Sequence, residues 1–105
     1  MSYVYLCGPM TGLPAYNYPA FHAAAAELRA DGWAVVNPAE NAEPTADPTW
    51  DDWMAVSLPQ VRRAGLLALL PGWQESRGAC AEVDLANELG IPCFPLRDVI
   101  TGEHG

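Results

Sequence analysis

Short apolar segments alternate with stretches of helical periodicity along this chain, and that alternation is what most limits its fold. Residues 3–7 and 66–70 are apolar and are each stopped by glycine or proline, which is typical of buried strands. Residues 33–36 and 91–96 have the same character. Between consecutive segments of this kind, apolar residues recur with the spacing of a helix face. The order predicts an α/β sandwich whose mainly parallel sheet has four to five strands.

Capping residues and helix breakers set the expected boundaries of the first and last helices. Asn17 is the expected N-cap of the first helix, and Gly32 follows its end. The last helix is expected over residues 79–89. The loop over residues 38–48 has no periodicity, and long loops in small domains are often functional. Residues 101–105 are expected to form a frayed tail.

The middle helix has both a clear start and an internal breaker. Thr49 and Asp52 have the spacing of a capping box, which predicts that the helix begins at Trp50. Pro59 cannot donate a backbone hydrogen bond inside a helix. The sequence therefore predicts a kink at this point, or a restart with Ser57 as a second cap.

Composition excludes several classes of protein. Thirteen acidic and five basic residues give a net charge of −8, and this balance argues against nucleic acid and membrane surfaces as partners. Apolar runs are too short for a membrane span, and no signal peptide is evident. Cys7, Cys80 and Cys93 lack paired spacing, and with only His22 and His104 beside them they indicate neither a disulfide scaffold nor a zinc site. We expect one cytoplasmic domain over residues 1–105, without metal.

The first candidate site follows the first strand. Glycines in this loop would let backbone N–H groups approach an anion, and a threonine hydroxyl adds a donor. The lysine of a Walker loop and the spacing of a dinucleotide fingerprint are missing. An ordinary strand-to-helix turn is the alternative. The loop consists of Gly8, Pro9, Met10, Thr11 and Gly12.

The second candidate site opens the last helix, where Ser76, Arg77 and Gly78 precede Glu82. Free N–H groups and the positive end of the helix dipole would favour a phosphate there. Glu82 is an acid on the expected inward face and should point into the cleft between strand ends. The alternative is an ordinary first-turn glutamate, which the positive end of the helix dipole favours. The residues expected to share its face are Leu85, Ala86 and Leu89.

Four tryptophans are many for a chain of this length. Trp50 and Trp53 fall on one apolar stripe over residues 50–61, which is expected to lie in the core or at a subunit interface. Because the chain is also small, we expect a homo-oligomer. Trp73 is either a packed turn residue or a cover for a base or sugar.

Three motifs together resemble the nucleoside 2-deoxyribosyltransferase superfamily, which includes the 2′-deoxynucleoside 5′-monophosphate N-hydrolases. The match is to its small uncharacterised bacterial and phage branch and covers roughly residues 3 to 95. The first motif begins with Tyr5 and runs to Gly12. The other two are Leu70-Pro71-Gly72-Trp73 and Ser76-x-Gly78-x-x-x-Glu82-x-x-x-Ala86.

The resemblance implies a flavodoxin-like, Rossmann-like fold and an activity on the N-glycosidic bond. It makes Glu82 the nucleophile, and it places the sugar or 5′-phosphate end on residues 8–12 and Ser76. Relatives usually carry aspartates at two positions that correspond to Ser57 and Gly65 in this chain. One such aspartate helps the leaving base or orients the nucleophile, so its absence bears on turnover.

The expected reaction is therefore cleavage of a nucleoside or nucleotide, or exchange of its base, without a cofactor. Glu82 would form a glycosyl-enzyme that water or an acceptor base resolves. Protonation of the departing base requires a further acid, for which Asp51, Asp52 or a neighbouring subunit are candidates. The alternatives are a catalytically impaired nucleotide-binding or sensing module, and a structural partner protein.

Overall fold

The computed structural model describes residues 2–102 and contains a four-stranded, wholly parallel sheet. The strands are β1 (Val4–Cys7), β2 (Val35–Val36), β3 (Leu66–Leu69) and β4 (Cys93–Pro95), in the order β2-β1-β3-β4. The central strands β1 and β3 are buried along their whole length, as expected where helices cover both faces of a sheet. The predicted α/β class is confirmed, and the architecture is consistent with a flavodoxin-like fold.

Four helices cover the sheet: α1 (Tyr18–Ala30), α2 (Trp50–Arg62), α3 (Arg77–Glu88) and α4 (Leu96–Thr101). Helices α1 and α4 pack on the face that receives Val4 and Leu6 of β1. Helices α2 and α3 pack on the other face, which receives Tyr5 and Cys7. Within residues 2–102, no helix combines the length and apolarity needed to cross a membrane.

Helix α2 starts as predicted but does not restart. Thr49 and Asp52 form the complete capping box. The helix continues through Pro59, because buried Met54 and Val61 anchor the turns on either side of it. The predicted restart at Ser57 is therefore wrong: Ser57 is buried inside the helix and does not act as a cap.

Helix α1 begins directly after Asn17, its predicted N-cap residue. The Asn17 side chain makes no capping hydrogen bond and instead donates to the Pro9 carbonyl at 3.0 Å. Two other boundaries differ from the sequence predictions. Helix α3 begins at Arg77, two residues earlier than expected, because the Ser76 side chain accepts from the Ala79 amide. Helix α4 was not predicted: it includes Leu96, expected to end the last strand, and Thr101, expected to begin the tail. Residues 103–105 of that tail lie outside the described chain.

Candidate functional site

A cleft of about 730 Å³ lies beyond the carboxyl ends of β1 and β3. Both candidate loops line it, since one follows β1 and the other opens α3 after β3. Ligands of open parallel sheets bind at this edge. The predicted site residues that line the cleft are Tyr5, Gly8, Met10, Thr11, Ser57, Ser76, Gly78 and Glu82.

The remaining predicted residues lie beside the cleft but do not line it. Pro9 accepts the hydrogen bond from Asn17 and so ties the first loop to the start of α1. Gly12 has a φ of +84°, a conformation that favours glycine. Trp73 is half-buried and packs against the core under α2 and α3, as a packed turn residue would. Arg77 places its guanidinium 3.7 Å from the ring centroid of Trp50.

Glu82 forms the floor of the cleft and is only 8% exposed. The Tyr5 hydroxyl donates to its Oε2 at 2.5 Å, and the Cys7 thiol donates to its Oε1 at 3.4 Å. Each carboxylate oxygen therefore has a protein donor. No guanidinium lies within ion-pair distance of Glu82 in the described chain.

The alternation of β1 explains why these three side chains meet. Tyr5 and Cys7 are two residues apart in the strand, so both point to the face that α2 and α3 cover. The buried residues of α3 are Ala79, Glu82, Val83 and Ala86, with the spacing of one helical face. The inward face is therefore centred closer to Val83 than the sequence predicted, and Leu89 is 46% exposed.

Burial is the main influence on the pKa of Glu82. Desolvation raises this pKa, while hydrogen bonds from Tyr5, Cys7 and Ser57 partly offset the rise. The pKa of the Tyr5 hydroxyl is also raised, first by its own burial and then by the nearby Glu82 charge. Tyr5 consequently remains a protonated donor toward the carboxylate at physiological pH.

The start of α3 forms the rim on one side of the cleft. The Ser76 Oγ accepts from the Ala79 amide at 3.2 Å, which uses one of its lone pairs and leaves its proton available. Gly78 lies against the α2 side of the cleft, and a Cβ at this position would contact Met54 Sδ at 3.5 Å. The rim therefore offers a hydroxyl and a helix N-terminus in close proximity.

The opposite wall was not predicted as a set of site residues. The loop between β2 and α2 contributes Asn41, Glu43 and Asp47, and α2 contributes Trp50 and Trp53. Half-buried indole rings thus border the cleft, a use that the sequence reading did not assign to the apolar stripe. The long aperiodic loop over residues 38–48, which carries three carboxylates, was the signal that could have indicated this wall.

The acids proposed from the sequence as proton donors do not line the cleft. Asp52 Oδ2 accepts from the Thr49 amide at 2.9 Å as part of the capping box, and Asp51 is exposed. Gly65 lies at the amino end of β3, the end away from the cleft, where its amide donates to the Tyr3 carbonyl. Ser57 is therefore at the site, and Gly65 is not.

Within residues 2–102, no group of three or more His, Cys, Asp or Glu side chains could hold a metal ion.

Comparison with known proteins gives one result. A search of the curated proteins and a search of the solved structures each find no match. One family model matches residues 2–94, a span that includes the cleft loops and the Glu82 helix. The chain therefore belongs to the family described as a domain of unknown function, DUF4406.

Proposed function

We propose that this protein cleaves the N-glycosidic bond of a nucleoside or nucleotide, or exchanges its base, with Glu82 as nucleophile. One observation carries the proposal: a buried carboxylate, oriented by two donors and without a cationic partner, forms the floor of a large cleft. Its volume of about 730 Å³ falls in the range of sites for small organic ligands. A perturbed carboxyl group in such a cleft is a recognised indicator of chemistry.

The surroundings of Glu82 suit attack on an anomeric carbon. Transition states of glycoside cleavage resemble an oxocarbenium ion, so the sugar gains positive charge as the base departs. A carboxylate in a poorly hydrated site stabilises that charge strongly. Tyr5 and Cys7 fix the position of both oxygens, and their hydrogen bonds favour the ionised form that the attack requires.

The walls of the cleft suit the two ends of such a substrate. Backbone N–H groups of Met10 and Thr11 and the Ser76 hydroxyl, all from residues that line the cleft, would bind a sugar or a 5′-phosphate. Trp53 offers a flat surface for a base, and Trp50, one face of which is covered by the Arg77 guanidinium, borders it. The three unpaired cysteines agree with a reducing, cytoplasmic location.

A nucleotide-binding module without turnover is the second candidate. The observation that favours it is Ser57, which lies beside Glu82 at a position where relatives carry a carboxyl group. Loss of a partner in proton transfer lowers rates by about 10²–10⁴-fold without abolishing binding.

We also propose that the protein is a homo-oligomer, although α2 buries Met54, Ser57 and Val61 within its own chain. Leu13, Tyr16 and Leu89 are the large apolar side chains that remain exposed in residues 2–102. Light scattering that shows only monomer at high concentration would contradict this proposal.

The decisive experiment is incubation with a panel of deoxynucleosides, ribonucleosides and their monophosphates, with chromatographic detection of free base. We expect slow release from at least one substrate, and none from Glu82→Gln. Glu88→Gln is the matched control, since Glu88 is an exposed glutamate at the end of the same helix. Release that continues unchanged in Glu82→Gln would exclude the nucleophile. Binding without release of any base would favour the sensor.

A further inference from the structure

Departure of a base from a sugar requires a proton donor that is separate from the nucleophile. A base that leaves as an anion is a poor leaving group, and a positioned acid removes that barrier. Glu82 cannot supply the proton if it attacks as a carboxylate. Two other carboxyl groups line the cleft within the described chain, Glu43 and Asp47.

Asp47 is the better anchored of the two. Residues 46–50 line the cleft without interruption, whereas Pro44 and Thr45, which follow Glu43, do not line it. Pro48 restricts the backbone of Asp47 to extended conformations. Thr49, two residues further on, is held in the capping box at 2.9 and 3.2 Å. The Asp47 backbone thus lies two residues before the fixed start of α2, and its side chain is exposed at the cleft.

Asp47 also lies next to the surface that suits a base. It precedes Trp50 by three residues, and both line the cleft together with Trp53. The Arg77 guanidinium covers one face of Trp50, so a base would stack on Trp53, beside Trp50, and would present its ring nitrogens at its edge. We infer that Asp47 is the general acid that protonates the departing base, an inference that rests on the proposed function.

The proposed step balances as follows. A Glu82 oxygen forms a bond to the anomeric carbon while the bond from that carbon to the base nitrogen breaks. The electron pair goes to the base, and the Asp47 carboxyl donates its proton to a base ring nitrogen. In the second half, water attacks the anomeric carbon and gives its proton to the Asp47 carboxylate. The bond from that carbon to the Glu82 oxygen breaks, and its electron pair returns to Glu82. The free sugar departs, and both carboxyl groups return to their starting states.

A comparison of leaving groups tests this role. One substrate is a purine deoxynucleoside, and the other is its N7-methylated form, whose cationic base leaves as a neutral molecule without being protonated. We expect Asp47→Asn to slow release from the first substrate by about 10²-fold or more. Release from the methylated substrate should change little. Asp51→Asn is the matched control, an exposed aspartate outside the cleft that should affect neither rate.

Each other outcome has a separate meaning. Equal slowing of both substrates by Asp47→Asn, or no slowing of either, would overturn the role of Asp47 and leave that of Glu82 intact. A selective loss in Glu43→Gln instead of Asp47→Asn would assign the acid to Glu43 and also overturn the inference. If the unmodified protein cleaves neither substrate and no other nucleoside, the proposed function fails, and the acid role fails with it.

Discussion

Replacement of Glu82 by glutamine should stabilise the protein, and the gain should grow with pH. The carboxyl group is 8% exposed, and its pKa in the folded chain is raised chiefly by burial. Glutamine has the same shape and cannot ionise. Its amide oxygen can still accept the hydrogen bond from Tyr5. The substitution therefore removes the ionisation penalty while it keeps most of the packing.

The sign and slope follow from proton linkage. Between the unfolded and the higher folded pKa of Glu82, the folded state holds one more proton than the unfolded state. The free energy of unfolding then falls by about 1.4 kcal/mol per pH unit as pH rises. At pH values above the pKa of Glu82 in the folded state, the loss in the free energy of unfolding no longer changes with pH. Each kcal/mol corresponds to a shift of about 4–8 °C in Tm for a domain near this size.

Urea denaturation of both proteins from about pH 4 to about pH 8 measures this difference. Other groups cancel in the comparison, including Glu40, whose pKa is lowered by its hydrogen bond with Arg29 and which therefore adds stability as pH rises. In the control Glu88→Gln, which replaces an exposed glutamate, the free energy of unfolding should not show the pH-dependent gain expected for Glu82→Gln. A Glu82→Gln difference that is flat with pH, or that shrinks as pH rises, would refute the reasoning.

Three further predictions concern the surroundings of Glu82. Tyr5→Phe should lower stability by about 1.5–3 kcal/mol in denaturant titrations, and it should raise the pKa of Glu82 further, so that base release needs a higher pH. Gly8→Ala should lower stability by about 1–3 kcal/mol, because its Cβ would lie 2.8 Å from Leu70 Cβ in the core. Deoxynucleoside monophosphates should bind more tightly than the matching nucleosides in calorimetric titrations, and equal affinities would remove the phosphate site from residues 8–12 and Ser76.

The parts of the fold that local pattern controls were predictable. The strands β1 and β3 are continuous apolar segments, and their helical connections fix a parallel sheet. Helix α4 was missed because its six residues are too few to show helical periodicity. The burial of Val99 against the sheet face under α1 stabilises this helix, and that contact is not visible in local sequence.

The candidate site was predictable only in part, for a related reason. An acid on the apolar face of α3 indicated Glu82. Its donors Tyr5 and Cys7 are 77 and 75 residues away, and their identity depends on which face of β1 meets α3. Asp47 lies in an aperiodic loop, and without periodicity the sequence does not predict which way a side chain points.

The stability penalty at Glu82 and the proposed chemistry have one physical origin. Glutamine at this position would keep the hydrogen bond from Tyr5 without any ionisation to oppose burial, so the charge of the carboxylate weakens the fold there. What distinguishes the carboxylate from leucine or glutamine is its negative charge. Poor hydration, which raises the pKa of Glu82, also strengthens the attraction between that charge and a carbon that becomes positive in the transition state. A nearby arginine would weaken that attraction, which is why a carboxylate held by neutral donors such as Tyr5 and Cys7 suits a nucleophile better than a structural ion pair.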